Sequence, residues 1–177
     1  MNKSKRAIFS SLFVFFAMTL AVYLYNYFTL QQPLSEVMNS DHRNYGINLD
    51  VHFSYYVQSS ILVINMKNIS SDNSQADVFR VVLQYSKKLK EHDFDWIEFA
   101  SRGTTKFVLE GYYFKELGEE FGTQNVIYTM RTFPEKLLRP DGRKAFDTWS
   151  GGLLGVMGKQ MEDLTEFHRK WYIEDMY

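Results

Sequence analysis

The chain has 177 residues, of which 45% are hydrophobic and 17% aromatic, and it carries a formal net charge of −1 with no cysteine. This composition suits one folded domain with an appendage and excludes a disordered chain. The absence of cysteine also excludes a disulfide framework, a thiolate metal site and a catalytic thiol.

The first thirty residues differ in character from the rest. Basic side chains occupy positions 3, 5 and 6, and residues 7–30 then contain no charge. At roughly 1.5 Å per residue, a helix over residues 7–30 is about 36 Å long, enough to cross a hydrocarbon core of about 30 Å. We therefore predict that residues 1–30 form a cytoplasmic basic tip and a transmembrane anchor in contact with membrane lipid. Tyr23, Tyr25 and Tyr27 are predicted to lie at the far membrane interface.

A cleaved signal peptide is the alternative to an anchor. The best cleavage site follows Ala21, but Thr19 occupies the position where a small residue such as alanine is usual. Apolar and aromatic residues also continue beyond that site, and secretory apolar segments are usually shorter. The pattern favours an uncleaved anchor, with the rest of the chain on the periplasmic or extracytoplasmic side of, most simply, a bacterial inner membrane.

The charge of the remaining chain limits its partners. Residues 31–177 carry 17 basic and 21 acidic side chains, a net charge of −4. An acidic domain outside the cytoplasm lacks the basic surface that nucleic-acid binding requires. We therefore exclude nucleic acid as a partner.

Polarity and periodicity predict how the first part of the domain folds. Residues 31–48 are polar and without a sustained period, which indicates a tether between membrane and domain. Residues 49–57 alternate between apolar and polar, as in a half-buried strand, and residues 61–69 begin apolar on both faces, as in a central strand. These two strands are predicted to form a hairpin. Residues 75–90 follow the spacing of an amphipathic helix that covers one face of the sheet, and Ser74 with Asp77 approximates a capping box at its start.

The second part of the domain adds a hairpin and a shorter helix. Two strand-like runs flank Arg102-Gly103, residues 111–122 have helical spacing, and residues 125–133 suggest a further strand. The order of elements predicts an α+β fold: an N-terminal single transmembrane helix, then a mostly antiparallel sheet packed with two or three helices. We assign residues 49–177 to this extracytoplasmic α+β domain.

A glycine-rich stretch over residues 150–160 does not match a catalytic motif. A phosphate loop requires glycine where Leu153 stands and serine or threonine where Gln160 stands. A nucleophile elbow centred on Ser150 lacks its first glycine. If one helix joins Ser150 to His168, the two lie about 27 Å apart, beyond hydrogen-bond reach. The uncharged run is also too short to span a membrane.

Helical geometry suggests a contact role for these glycines. An apolar stripe occupies one face of the predicted last helix: Leu153, Leu154, Met157, Met161, Leu164, His168, Trp171 and Tyr172. Gly151, Gly152, Gly155 and Gly158 lie on the opposite face. Each costs about 1 kcal/mol relative to alanine in a helix, which close approach of another backbone, from this domain or a partner, would offset. The alternative is that residues 150–158 are an irregular lead-in to a helix that begins near Lys159.

Other reactive residue types are better explained by solvation or packing. The carboxylates of Glu116, Glu119 and Glu120 could act on a glycan, but three glutamates on one helical face usually only contact water. Asp50 and His52 share a strand face without a third metal ligand. His168 is predicted to lie at the core edge with one nitrogen bonded. A basic cluster could meet lipid phosphates or an acidic polymer, or simply be a solvated loop: Lys136, Arg139, Arg143 and Lys144.

These observations predict a binding protein. We assign no catalytic residue, no metal and no cofactor, and no motif points to a particular family. The expected function is that of an accessory or assembly subunit of a membrane complex in the cell envelope, acting through protein–protein contacts. The alternatives are an envelope hydrolase acting on a glycan, peptide or ester bond, and a lipid- or small-ligand-binding domain with an apolar cavity.

Overall fold

Four strands form a single sheet in chain order, with helices between and after them. The computed structural model describes residues 3–176, with side chains from Phe9 onward. The strands are β1 (Ile47–Ser54), β2 (Gln58–Ile69), β3 (Trp96–Ser101) and β4 (Thr104–Glu110). The helices are α1 (Lys3–Asn26), α2 (Gln32–Ser40), α3 (Gln75–Leu89), α4 (Gly111–Glu120), α5 (Val126–Thr132) and α6 (Leu153–His168). Shorter helical turns cover Tyr27–Gln31, His42–Asn44, Phe133–Lys136, Arg169–Ile173 and Glu174–Met176.

The sheet is mixed, which corrects the prediction of a mostly antiparallel one. β1 and β2 form an antiparallel hairpin, and so do β3 and β4, whereas β2 and β3 run parallel. A parallel pair needs a long crossover connection, and α3 provides it. The α+β class is confirmed, with more helices than the two or three expected. The Ser74–Asp77 capping box at the start of α3 and the turn at Arg102-Gly103 are confirmed too.

Residues 31–48 are not the flexible tether that their polar composition suggested. A π-helical turn joins α1 to α2 without a break, so one helix runs on into the domain. Leu30, Leu34 and Val37 follow helical spacing and are buried in the core. Pro33 lies in the first turn of α2, where a missing backbone donor is tolerated. The domain core therefore begins before residue 49.

Residues 125–133 are helical, which corrects the predicted strand. The side chain of Asn125 caps α5 by accepting hydrogen bonds from the backbone of Ile127 at 2.9 Å and Tyr128 at 3.4 Å. Phe133 follows in a 3-10 turn and is fully buried. The branched Val126 and Ile127 favoured a strand, but the cap and the burial of Phe133 outweigh that local preference.

The core lies between the sheet and the helices on one of its faces. Apolar side chains from all four strands contribute to one buried cluster with α2, α3, α4 and α6. Aromatic rings dominate its centre and pack mostly edge to face: Phe99, Phe107, Phe133, Phe167 and Trp171. The indole of Trp171 also donates a hydrogen bond of 2.9 Å to the carbonyl of Ala100, which ties the C-terminal segment to β3.

Candidate binding groove on the uncovered sheet face

The sheet face opposite the helices carries a concave site. In a strand, neighbouring side chains point to opposite faces. Because Val51 and Phe53 of β1 are buried against the helices, His52 between them lies on the other face. A groove of about 510 Å³ runs over this uncovered face. We call it the sheet groove.

The floor of the sheet groove is formed by buried side chains, and one of its walls is aromatic. Its floor includes Val63, Asn65 and Ala100, which are 6%, 2% and 1% exposed. On one side, the ring of Tyr56 stacks on that of His52 with centroids 4.5 Å apart. Pro140 lines the site as well, from a turn at residues 139–142 that follows α5 in the chain. The walls therefore offer apolar surface around a partly polar floor.

The polar groups of the sheet groove are already oriented. Asn65 Oδ1 accepts a hydrogen bond of 3.1 Å from the backbone of Gly103, and Glu98 Oε2 accepts one of 2.8 Å from Thr105 Oγ1. His52 Nδ1 lies 2.9 Å from the carbonyl oxygen of Phe53, so donation to that oxygen leaves Nε2 as an acceptor. The arrangement suits hydrogen bonding to a bound molecule.

Both edges of the sheet are covered, which leaves the face as the free surface. Along β1, Gln31 Nε2 donates to the carbonyl of Val51 at 2.6 Å, and the backbone of Phe53 donates to Asn26 Oδ1 at 2.9 Å. Along β4, Val108 and Leu138 exchange two backbone hydrogen bonds of 2.9 and 2.8 Å. Covered edges oppose the addition of a strand from another chain.

The sheet groove lies beside the point where α1 leaves the domain. Asn26 Nδ2 donates a hydrogen bond of 2.8 Å to the carbonyl of Tyr56, in the turn that lines the groove. Before Asn26, the helix projects away from the core, and its described apolar side chains other than the half-buried Val22 are exposed. The continuous helix Phe9–Ser40 contains a stretch long and apolar enough to cross a membrane. Tyr23, Tyr25 and Tyr27 are exposed near the domain end of that stretch.

The four glycines singled out in the sequence lie in and before α6. Gly151 has a positive φ of 131° and Gly152 caps the helix, while Gly155 and Gly158 lie within it. A methyl group added to any of the four would have no neighbouring atom within 4 Å in the described part of the chain. The domain's own backbone therefore does not approach them. It does approach Gly111 and Gly118 of α4 instead.

The first turns of α6 extend beyond the core. Leu153 and Leu154 are 70% and 85% exposed, and burial of the predicted apolar stripe begins only in the second half of the helix. Exposed apolar side chains of α5 add Val126, Ile127 and Tyr128 to the apolar surface of the domain. Single exposed apolar residues are ordinary, whereas large contiguous apolar patches mark interaction sites.

The other residues considered for chemistry are not assembled into a site. Ser150 is exposed and makes no hydrogen bond to a histidine within residues 3–176. Glu116 and Glu119 are exposed on α4, and the basic cluster surrounds an exposed turn in which Arg143 pairs with Asp141. Asp50 contacts Lys67 at 3.4 Å. Among the described residues, no group of three histidine or carboxylate side chains could hold a metal.

His168 is buried more deeply than the sequence suggested. Its side chain is 0% exposed and lies among Phe167, Trp171 and Tyr172. Neither ring nitrogen has a hydrogen-bond partner within the part of the chain described, which corrects the expectation of one bonded nitrogen. Burial lowers the pKa of His168 from 6.5 to about 3. The ring is therefore neutral at physiological pH and acts as a core residue.

Sequence reasoning missed most of the sheet groove. Asn65, Glu98 and Thr105 come from three different strands, and only their pairing brings them together. One signal was present: Asn65 interrupts an apolar run in β2, as a polar group on an uncovered face would. Comparisons with protein-family models, curated proteins and solved structures found no match to this chain.

Proposed function

We propose that this protein is a membrane-anchored binding subunit that holds a partner protein at the extracytoplasmic surface of a bacterial inner membrane. The observation that carries the proposal is the sheet groove beside the domain end of α1. In this arrangement α1 crosses the membrane with its N-terminus in the cytoplasm, and the domain uses its uncovered sheet face to bind. The protein acts as an accessory or assembly subunit without its own catalytic step.

The surface of α1 supports the anchor. Its described apolar side chains are exposed from Phe9 to Leu24, except for the half-buried Val22, and the first fully buried side chains of the helix are those from Asn26 onward. Exposure of an apolar helix of this length to water is unfavourable, and the hydrocarbon core of a membrane would bury its apolar surface. Basic residues precede it at positions 3, 5 and 6, which favours a cytoplasmic N-terminus.

The chemistry of the sheet groove supports a protein segment as its occupant. A groove with apolar walls and fixed polar groups can hold side chains while its polar groups bond to a peptide backbone. Because one end of the groove lies where α1 emerges, a juxtamembrane segment of another membrane protein would reach that end. Such a segment is held near the surface by its own anchor, which raises its effective concentration at the groove.

The start of α6 is the proposed second contact surface. Leu153 and Leu154 provide exposed apolar side chains, while Gly155 and Gly158 leave part of the helix without side chains. A partner helix could approach such a surface closely, as helices do at small-residue positions. Binding there would offset the cost of glycine in a helix interior.

A single-cysteine cross-linking experiment tests the groove. Because the chain has no cysteine, Ile61→Cys in the groove and Glu119→Cys on α4 each provide one reactive thiol. In native membranes, we expect Ile61→Cys to form one defined cross-linked band with another membrane protein, identified by mass spectrometry. Glu119→Cys should form none. Cross-linking of equal extent from both positions, or from neither, would refute the groove as the contact site.

A charge placed in the groove should release the partner. Ile61→Arg places a long charged side chain where the bound segment would lie, and we expect at least about a tenfold loss of complex, because the side chain fills the groove and its charge would have to be desolvated on binding. Glu119→Arg, on the exposed face of α4, is the matched control. Complex recovery is measured by co-purification in mild detergent. Retention of the complex by Ile61→Arg with an unchanged melting temperature contradicts the proposal.

Bulky replacements in α6 test the second surface. The double variant Gly155→Leu/Gly158→Leu adds two large side chains to the glycine face of α6. These side chains should not disturb the core, because no atom of the described chain lies within 4 Å of a carbon added at either position. We expect the domain to stay folded while recovery of the complex falls. Gly155→Ala/Gly158→Ala is the control, since methyl groups obstruct a partner far less. Normal assembly of the leucine variant would remove this surface from the proposal.

A further inference from the structure

The turn between β1 and β2 exposes three apolar residues in a row. Tyr55, Tyr56 and Val57 are 86%, 54% and 69% exposed. The sequence around them has no charge from residue 53 to residue 66. A water-exposed hairpin turn usually carries glycine, asparagine, aspartate or another small polar residue. This turn has the composition of a surface that meets something other than water.

The backbone of the turn makes that composition more unusual. Tyr55 and Tyr56 have positive φ angles of 50° and 63° at the centre of a turn in which the backbone N–H of Val57 donates a 3.3 Å hydrogen bond to the carbonyl of Ser54. Glycine and asparagine adopt this conformation readily, whereas aromatic residues do so at an energetic cost. Tyr56 stacks on His52, but Tyr55 is the most exposed large apolar side chain described. Packing within the domain therefore does not explain Tyr55.

Direct contacts hold the turn level with the domain end of α1. Asn26 bonds both to the carbonyl of Tyr56 and to the backbone of Phe53, at 2.8 and 2.9 Å. The ring of Tyr25 stacks on that of Phe53 with centroids 5.2 Å apart. The turn thus lies beside the helical turn that carries the exposed interfacial tyrosines Tyr23 and Tyr27. Its position relative to the helix is set by side-chain bonds rather than by a flexible linker.

We propose that the Tyr55-Tyr56-Val57 turn inserts into the lipid headgroup region as a second membrane contact. Tyrosine suits this depth because its ring is apolar and its hydroxyl is polar, and Val57 adds apolar surface. A helix alone lets the domain rotate over the membrane, whereas a helix and a turn together define its orientation. The sheet groove, lined by Tyr55 and Tyr56, then opens next to the bilayer surface. This inference rests on the proposed membrane anchor.

Fluorescent labels on single cysteines test the contact in the full-length chain. An environment-sensitive dye is attached to Tyr55→Cys, Leu20→Cys or Thr104→Cys, and each protein is reconstituted into phosphatidylcholine vesicles containing a spin-labelled lipid. Leu20 lies in the proposed span, and Thr104 lies at the opposite end of the sheet from the turn. We expect blue-shifted emission and lipid quenching at Leu20 and Tyr55, and neither at Thr104.

The outcomes separate this inference from the anchor itself. Quenching at Leu20 with a Tyr55 label that behaves like the Thr104 label overturns the turn contact and leaves the anchor standing. No quenching at Leu20 overturns both. To exclude an artefact of disturbing the strained turn, Tyr55→Asn/Tyr56→Asn is combined with a label on Val57→Cys. Asparagine tolerates the positive φ, so the domain stays folded, and the Val57 label should lose the quenching it shows beside the native tyrosines. Unchanged quenching in that variant also counts against an insertion driven by the tyrosines.

Discussion

Replacing Gly111 by alanine is expected to destabilise the domain by about 3 kcal/mol or more, one of the largest effects of any single methyl group in this chain. The added carbon would overlap the carbonyl oxygen of Phe94, where α4 starts against the connection that leads into β3. Gly118→Ala should act similarly, because its methyl group would overlap the carbonyl oxygen of Ser86 on α3. In both cases the obstacle is a backbone atom, which cannot move without shifting a helix or strand.

Gly155→Ala is the matched control, and the same chemical change should there have the opposite sign. Nothing in the described chain lies within 4 Å of the added carbon, and alanine favours a helix by up to about 1 kcal/mol over glycine. Urea unfolding in detergent, followed by tryptophan fluorescence, to which the buried Trp171 contributes, measures all three variants. If Gly111→Ala or Gly118→Ala unfolds at the same urea concentration as the unmodified chain, the close packing of α4 described above is wrong.

Acid should destabilise the domain over a pH range that a single histidine controls. The pKa of His168 falls from 6.5 to about 3 on burial. Between these values the unfolded chain binds a proton at this position and the folded chain does not. Stability is therefore complete above pH 6.5 and falls as the pH is lowered, by roughly 1 kcal/mol per pH unit at full slope. Urea midpoints between pH 5 and pH 8 measure this loss.

His168→Phe should abolish most of that pH dependence. Phenylalanine fits among the surrounding aromatic rings, carries no proton and leaves no buried nitrogen without a partner. His42→Gln is the control, because the side chain of His42 is 86% exposed. The carboxylates with the lowest pKa values, Asp41 and Glu166 at about 2, lose their contribution mainly below pH 5 and so do not obscure the test. An unchanged slope in His168→Phe would show that other groups control acid stability.

The two predicted contacts beside α1 have one structural basis. Asn26 and Gln31 bond to the outer edge of β1, so the helix that leaves the domain also covers this edge of its sheet. Any tilt of the helix would then move the turn and the sheet groove together.

Local patterns determined several elements from sequence alone. The uncharged run of residues 7–30, the capping box at Ser74, the turn at Arg102-Gly103 and the α+β class each depend on neighbouring residues. Such signals act over a few residues, through hydrophobic burial, backbone capping and turn geometry. The elements that these signals predict are present in the structure because tertiary packing favours the same local conformations.

Long-range contacts decided the rest. The parallel pairing of β2 with β3, the packing of α2, the helical state of Val126–Thr132 and the full burial of His168 all depend on residues distant in sequence. The glycines show the same contrast between local sequence and long-range contacts. Composition drew attention to Gly151–Gly158, yet the close approaches within the domain occur at Gly111 and Gly118, because only the folded chain brings another backbone there. The sheet groove likewise exists only once three strands are paired, since no local pattern relates Asn65 to Glu98 and Thr105.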